Sequence, residues 1–172
     1  MYTVRGHTKV ARRRLICNNL GAPKWLFIGF LAADKRLYTR DWLIQWKMQV
    51  DPICPLCEQV PETINHLFFK CKVSAEVWGR ILWWQGLLRQ PEEWQRELIW
   101  CTSKHNSKNS TDLLYRTTLV AANYYVWRER NQVVFQHKRS CGDAIVRLII
   151  QAIFTRTTPT SKMQGKLAKL NW

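Results

Sequence analysis

Val50-Asp-Pro-Ile-Cys54-Pro-Leu-Cys57-Glu-Gln-Val-Pro-Glu62-Thr-Ile-Asn-His66-Leu-Phe-Phe-Lys-Cys71 is the stretch on which the reading of this chain turns. Its spacing is C-x2-C-x8-H-x4-C. Two residues between cysteines let one tight turn aim both thiolates at one ion, and four residues between His66 and Cys71 fit a second ligand pair. Three thiolates and an imidazole are a soft tetrahedral donor set suited to Zn²⁺, and four protein ligands leave no open position for substrate water. The expected metal is one structural zinc. A thioredoxin-like redox pair is a competing reading of Cys54 and Cys57, but that motif wants an α/β unit around it. A chance grouping of core cysteines with one histidine is the other.

Outward from this segment the chain reads as helices. Asp51-Pro52 closes a preceding helix in which Thr39 is a candidate N-cap; Trp42, Leu43 and Trp46 form one face, with Arg40 and Lys47 toward water. Before it, Trp25 to Ala33 is an apolar run behind Pro23, as in a short buried helix with Pro in its first turn. After Cys71, Ser74 is a candidate cap for a helix with Val77, Trp78, Ile81, Leu82 and Trp84 as its stripe and Gly86 as its stop. Pro91-Glu92-Glu93 opens the next, with Trp94, Leu98 and Cys101 on one side. From Thr111 onward, Leu113, Thr117, Val120, Tyr124, Trp127, Asn131 and Val134 recur at four and three, a heptad-like seam. Three heptads do not establish a coiled coil, and a long helix packed along an all-α core is the better reading. A last helix over about Asp143 to Thr155 is expected to bury Ile145, Leu148, Ile149, Ala152 and Ile153. The sequence thus predicts an all-α fold of about six helices with a small zinc-knuckle-like loop between the second and third. The segments are a basic arm 1–22, a zinc-binding domain 23–86, a helical region 87–156 and a basic flexible tail 157–172.

Composition bounds the function. The chain has 172 residues with 27 Lys and Arg against 12 Asp and Glu, a formal charge of +15. Such a charge favours polyanionic partners over ordinary enzymatic ones. With 47% apolar residues the chain is not a disordered basic tail, and it is too short for a complete polymerase. The longest apolar run falls far short of the ~20 residues of a bilayer span. Residues 1–33 contain no acid and resemble a transit peptide in composition, so organelle import is a minor alternative. Without a secretory signal, the six cysteines point to metal chemistry in a reducing compartment; Cys17, Cys101 and Cys141 are expected to pack.

Lys24-Trp-Leu-Phe-Ile-Gly-Phe-Leu-Ala-Ala, Arg36-Leu-Tyr-Thr-Arg-Asp-Trp-Leu, Val50-Asp-Pro-Ile-Cys-Pro-Leu-Cys-Glu, Glu62-Thr-Ile-Asn-His-Leu-Phe-Phe-Lys-Cys and Ser74-Ala-Glu-Val-Trp, in that order, resemble the reverse-transcriptase zinc-binding domain of plant LINE-type, non-LTR retrotransposons. The likeness covers roughly residues 2–85. A weaker echo, Tyr125-Val-Trp-Arg-Glu-Arg-Asn-Gln-Val-Val-Phe, is similar to the segment often found downstream. The resemblance implies that Cys54, Cys57, His66 and Cys71 ligate zinc, that the domain helps a reverse transcriptase hold its template, and that it resides in the nucleus. Lys47 departs from the family, which usually has Gly there.

No Asp-Asp pair of the polymerase kind, and no endonuclease or ribonuclease H constellation, stands out among the acids. Two-metal phosphoryl transfer needs clustered carboxylates. The chain is therefore expected to be no enzyme but a non-catalytic zinc-binding, nucleic-acid-binding module derived from such an element. Arg12, Arg13, Arg14, Lys35, Arg36 and Arg40 are the candidate phosphate contacts, to RNA or DNA with little sequence preference. The alternatives are a zinc-stabilised scaffold that binds protein through helix 111–136, or a retroelement relic. Among Trp42, Trp46, Trp83 and Trp84, helical spacing favours core packing over base stacking, with Trp83 the best exception. His7, His105 and His137 read as surface residues.

Overall fold

The computed structural model describes Leu15, residues 20–105 and 107–157, and Gly165, Leu167, Ala168 and Leu170. The arm residues Arg12, Arg13 and Arg14, with His7, Cys17 and most of the tail, lie outside the described residues. Among those described the chain is helical, in seven helices: α1 (Pro23–Ala33), α2 (Arg40–Gln45), α3 (Ile64–Leu67), α4 (Lys72–Trp84), α5 (Trp94–Lys104), α6 (Ser110–Gln136) and α7 (Gly142–Thr157). The element beyond the expected six is α3, a single turn inside the Cys/His segment. The only extended pairing described is one bridge between Ile53 and Pro61. No helix described is long and apolar enough to cross a membrane.

Helix α6 is the axis. Three of its polar residues are satisfied locally: Asn109 caps it by accepting from the Asp112 N–H (2.7 Å), and the Thr117 and Thr118 hydroxyls donate back to the Leu113 and Leu114 carbonyls, whereas the buried Asn123 amide has no partner among the described residues. It can therefore be buried on nearly every side from Leu114 to Val126. Helix α1 crosses it closely because position 29 is glycine: a Cβ there would lie 3.0 Å from Val120 Cγ1. The first half of the heptad-like seam is thus covered within the chain, as the long-helix reading expected. Helix α7 packs on both α6 and α4.

The stripes of α4 and α5 are buried as read: Val77, Trp78, Ile81, Leu82 and Trp84, then Trp94, Leu98 and Cys101. Gly86, at φ +77°, ends α4, with the Leu87 N–H reaching back to the Leu82 carbonyl. Burial pushes the Cys101 thiol up to about 12, so it is an inert packing residue.

Several local expectations are corrected. Helix α4 starts at Lys72 with Cys71 as its N-cap; Ser74 is instead a buried staple, donating to the Cys71 carbonyl and accepting from the Phe69 N–H. Helix α5 starts at Trp94 because Pro91 to Glu93 remain extended. Leu148 is exposed and Val146 buried in its place. Cys141 is exposed, since it precedes α7 in a connecting segment with nothing packed over it. His105 is buried, its ring stacked on Tyr115 at 4.3 Å and bonded to Asp112. Helix α2 buries no residue at all, and Trp46 is 57% exposed. Its amphipathic spacing is genuine, but among the described residues Trp42 and Leu43 are only half-covered and Trp46 is left exposed.

Candidate metal centre

The Cys/His segment is a short hairpin followed by one helical turn. The Cys54 N–H bonds the Val60 carbonyl (2.7 Å) and the Glu62 N–H bonds the Pro52 carbonyl (2.8 Å), which closes the hairpin around Cys54 and Cys57. Glu58 turns the chain at φ 55°. Thr63 then caps α3 by accepting from the His66 N–H (3.0 Å), and this fixes where the imidazole leaves the backbone. The return to Cys71 passes through Phe69, a non-glycine residue at φ 78°. That conformation costs of order 1–3 kcal/mol. Its position is over-determined by the Ser74 hydroxyl and by stacking on Trp78 at 4.8 Å.

These local devices bring Cys54, Cys57, His66 and Cys71 together, with one potential ligand atom from each lying within 4.8 Å of all the others. Cys57 Sγ stands 3.3 Å from His66 Nε2, which makes Nε2 the ring nitrogen that would face an ion. Adjacent sulfur donors on a tetrahedral Zn²⁺ lie ~3.8 Å apart, given Zn–S bonds near 2.3 Å. The residues fit the metal in chemistry as well as spacing. All three cysteines are buried, so the sulfurs are shielded from solvent and from oxidants. The Cys54 thiol donates to Cys71, which pushes Cys54 up and holds Cys71 down. The N–H groups of Val73 and Ser74, at the start of α4, add to the lowering of Cys71. Burial also lowers His66 and keeps it in the neutral form that a metal requires. The site can hold one zinc ion, with a full protein donor set and a structural role.

The rest of the chain grips this segment from a distance. Glu62 is fully buried and receives Arg130 in a bidentate pair, Nε to Oε1 at 2.9 Å and Nη2 to Oε2 at 2.8 Å; the Arg40 N–H adds a third bond at 2.7 Å. Arg139 donates to the Leu56 carbonyl (2.6 Å) and the Pro55 carbonyl (3.1 Å), inside the turn between the two cysteines. His137, in the left-handed conformation at the end of α6, turns the chain so that Arg139 can reach. Phe68 and Phe69 continue the contact on the other side, against Trp94 and Trp78. Sequence reasoning missed Glu62, Arg130 and Arg139 as parts of the site. The one signal was that Glu62 and Arg130 both fell within quoted motifs.

Of the candidate phosphate contacts, Lys35, Arg36 and Arg40 lie among the described residues and do not share one role. Lys35 and Arg36 are exposed at the end of α1, Arg36 facing Asp34 at 3.8 Å. Arg40, expected to face water, turns inward and bonds Asp51 and the Ile53 carbonyl, bracing the hairpin. Lys47 keeps the turn that its family position suggests: it is left-handed at φ 59°, a conformation glycine adopts without strain.

Residues 1–78 match the family described as zinc-binding in reverse transcriptase, a stretch that ends within α4. No curated protein and no solved structure matches the chain. The ligand geometry and the matched segment agree: residues 1–78 are similar to the zinc-binding segment of reverse transcriptases, and the four residues that could hold the ion lie inside the match.

Proposed function

We propose that the chain is a non-catalytic nucleic-acid-binding module, stapled by one zinc ion and derived from the C-terminal part of a non-LTR retrotransposon reverse transcriptase of plant type, acting in the nucleus. The observation that carries this reading is the pairing of a reverse-transcriptase zinc site with a charge of +15. Its buried carboxylates support a structural role for the acids: Glu62 and Glu97 each hold an arginine and Asp112 holds His105. Engaged in this way and far apart in the chain, they are poorly suited to gather catalytic metal ions.

Binding driven by this charge is largely sequence-independent and steeply salt-dependent. The test is fluorescence anisotropy of the zinc-loaded chain with labelled RNA and DNA oligonucleotides across a salt series. Association that weakens linearly on a log–log plot is expected. Absence of binding to both polymers at low salt would overturn the reading in favour of a protein-binding scaffold, for which the exposed Phe135 near the end of α6 is the observation.

A further inference from the structure

We propose that Tyr38, Trp42 and Trp46 form a stacking platform for unpaired bases, so that single-stranded nucleic acid is the partner class of this face. The proposal rests on the nucleic-acid reading above and gives it a site.

Three aromatic rings lie in sequence of contact on the outer side of the chain, Tyr38 to Trp46 at 5.7 Å and Trp46 to Trp42 at 5.0 Å. Tyr38 is 56% exposed and Trp46 57%, on either side of a helix that carries Trp42 and buries none of its own residues. Exposed tryptophan contributes nothing to the core, and one good helical turn could be made from polar residues. The Trp42 ring and the backbone of Tyr38 are also held in place. The Trp42 indole N–H donates to the Lys35 carbonyl at 2.6 Å, and the Tyr38 carbonyl receives Arg130. The first residue of α2 is tied through its N–H to Glu62 beside the metal loop. A platform already fixed loses little conformational entropy when a base settles on it.

Charge selects the occupant. Lys35 and Lys47 bracket the aromatic segment, both exposed and both in the left-handed conformation, and neither has an ion-pair partner among the described residues. Arg36 adds a third exposed cation, opposed by Asp34. Of the remaining acids, Asp51 is paired with Arg40, and Asp41 keeps its charge while accepting the Thr39 hydroxyl, so the cations outnumber the unpaired carboxylates by a small margin. Aromatic faces between cations are the arrangement that tracks a single strand: phosphates meet the lysines while bases stack, with little dependence on sequence. Trp83, the best sequence candidate, is 53% exposed too, but its neighbour Arg80 is taken by Asp143 and Glu76. The other guanidinium on that surface, Arg89, is likewise paired, with Glu97.

The experiment compares the full-length zinc-loaded chain with Trp46→Ala, Trp46→Phe and Lys35→Gln/Lys47→Gln. Each is titrated into labelled dT20, U20 and a 20-bp duplex across a salt series, with zinc content and sedimentation measured in parallel. Trp46→Ala is expected to bind dT20 and U20 about tenfold more weakly, the size of one lost base stack, with the salt slope and duplex affinity unchanged. Trp46→Phe is expected to keep most of the affinity. The double lysine variant is expected to flatten the salt slope on single strands by roughly one to two units. Wild-type and Trp46→Ala proteins binding dT20 and U20 equally would overturn the platform while leaving nucleic-acid binding intact; a wild type that binds no nucleic acid would overturn both. If Trp46→Ala instead dissolves a dimer and leaves oligonucleotide affinity unchanged, the face is a protein interface and the proposal fails.

Discussion

Two fully buried glutamates, one beside the metal loop and one on α5, are satisfied in nearly the same way. Glu62 takes a bidentate arginine and a backbone N–H, from Arg130 and Arg40; Glu97 takes a bidentate arginine, a backbone N–H and a phenol, from Arg89, Glu92 and Tyr115. Each arginine also lies over a tryptophan, Arg130 above Trp127 at 5.0 Å and Arg89 above Trp100 at 4.0 Å. What differs is reach. Glu97 and Arg89 are 8 positions apart and brace the start of one helix, whereas Glu62 and Arg130 are 68 apart and bind the metal loop to the central helix. One chemical device therefore serves a local cap in one place and a tertiary lock in the other. The lock joins the segment of reverse-transcriptase type to helices that lie beyond it.

Truncating the two carboxylates is the strongest way to break the comparison. Glu62→Ala leaves Arg130, 5% exposed, buried without its counter-charge, and should cost ~3–5 kcal/mol in urea denaturation. Glu97→Ala leaves Arg89, 20% exposed, able to turn toward water, and should cost about 1–3 kcal/mol. Equal costs would show that burial of the arginine does not set the difference.

Metal removal should then separate the two regions without mutation. Chelation is expected to release amide protection by at least tenfold across residues 52–71 and at the Arg40 N–H, read by hydrogen exchange, while the amides of α5 keep theirs. Uniform loss of protection would mean that the ion supports the whole fold rather than its own loop.

The smallest effect is one of pH, read at His105 on the Glu97 side with the metal loop kept loaded. Burial depresses His105 below its ordinary 6.5, reinforced by Arg89 and Arg116 and opposed by Asp112. The neutral ring, with its Nδ1–H donated to Asp112, leaves Nε2 buried and without a partner among the described residues, so a proton there would have no acceptor. The folded state binds fewer protons than the unfolded state, and the stability is complete above about 6.5 and lost as pH falls through the lowered folded value. Asp112 is itself held low, because hydrogen bonds from Ser107 and His105 outweigh its burial, and its contribution is lost only at more acid pH. Denaturation midpoints from pH 7.5 to 5.5, at constant zinc content, should slope downward with acid. In His105→Gln that slope should be shallower.

The ligand set was legible because metal spacing is a local property: Cys54, Cys57, His66 and Cys71 lie within one hairpin and one turn. The buried stripes of α4 and α5 and the long α6 were legible because periodicity reports which face needs cover. Periodicity cannot report whether cover arrives, and this is why the face of Trp42 and Trp46 read as core although it is only partly covered among the described residues. Pairings across many residues left no local trace either. Arg40 resembled a solvated cation until Asp51 and Ile53 were placed beside it, and His105 a surface residue until Asp112 and Tyr115 were. The left-handed turn at Lys47 was visible only as a departure from the glycine that the resemblance suggested.

The distant grip of Arg130 and Arg139 also imposes an order on synthesis. The four ligands leave the ribosome together by Cys71, but the guanidinium that locks Glu62 is made 68 residues after it, roughly 3 to 14 seconds later at ordinary elongation rates. Throughout that interval the three thiols belong to a loop that neither α6 nor Arg139 yet covers. Zinc captured then would protect them as the rest of the chain emerges, and the helices would close over a loaded loop. A nascent chain made when zinc is scarce would instead carry three unligated thiols until the later helices form, so chelation during synthesis is expected to lower the yield of intact protein more than chelation after it.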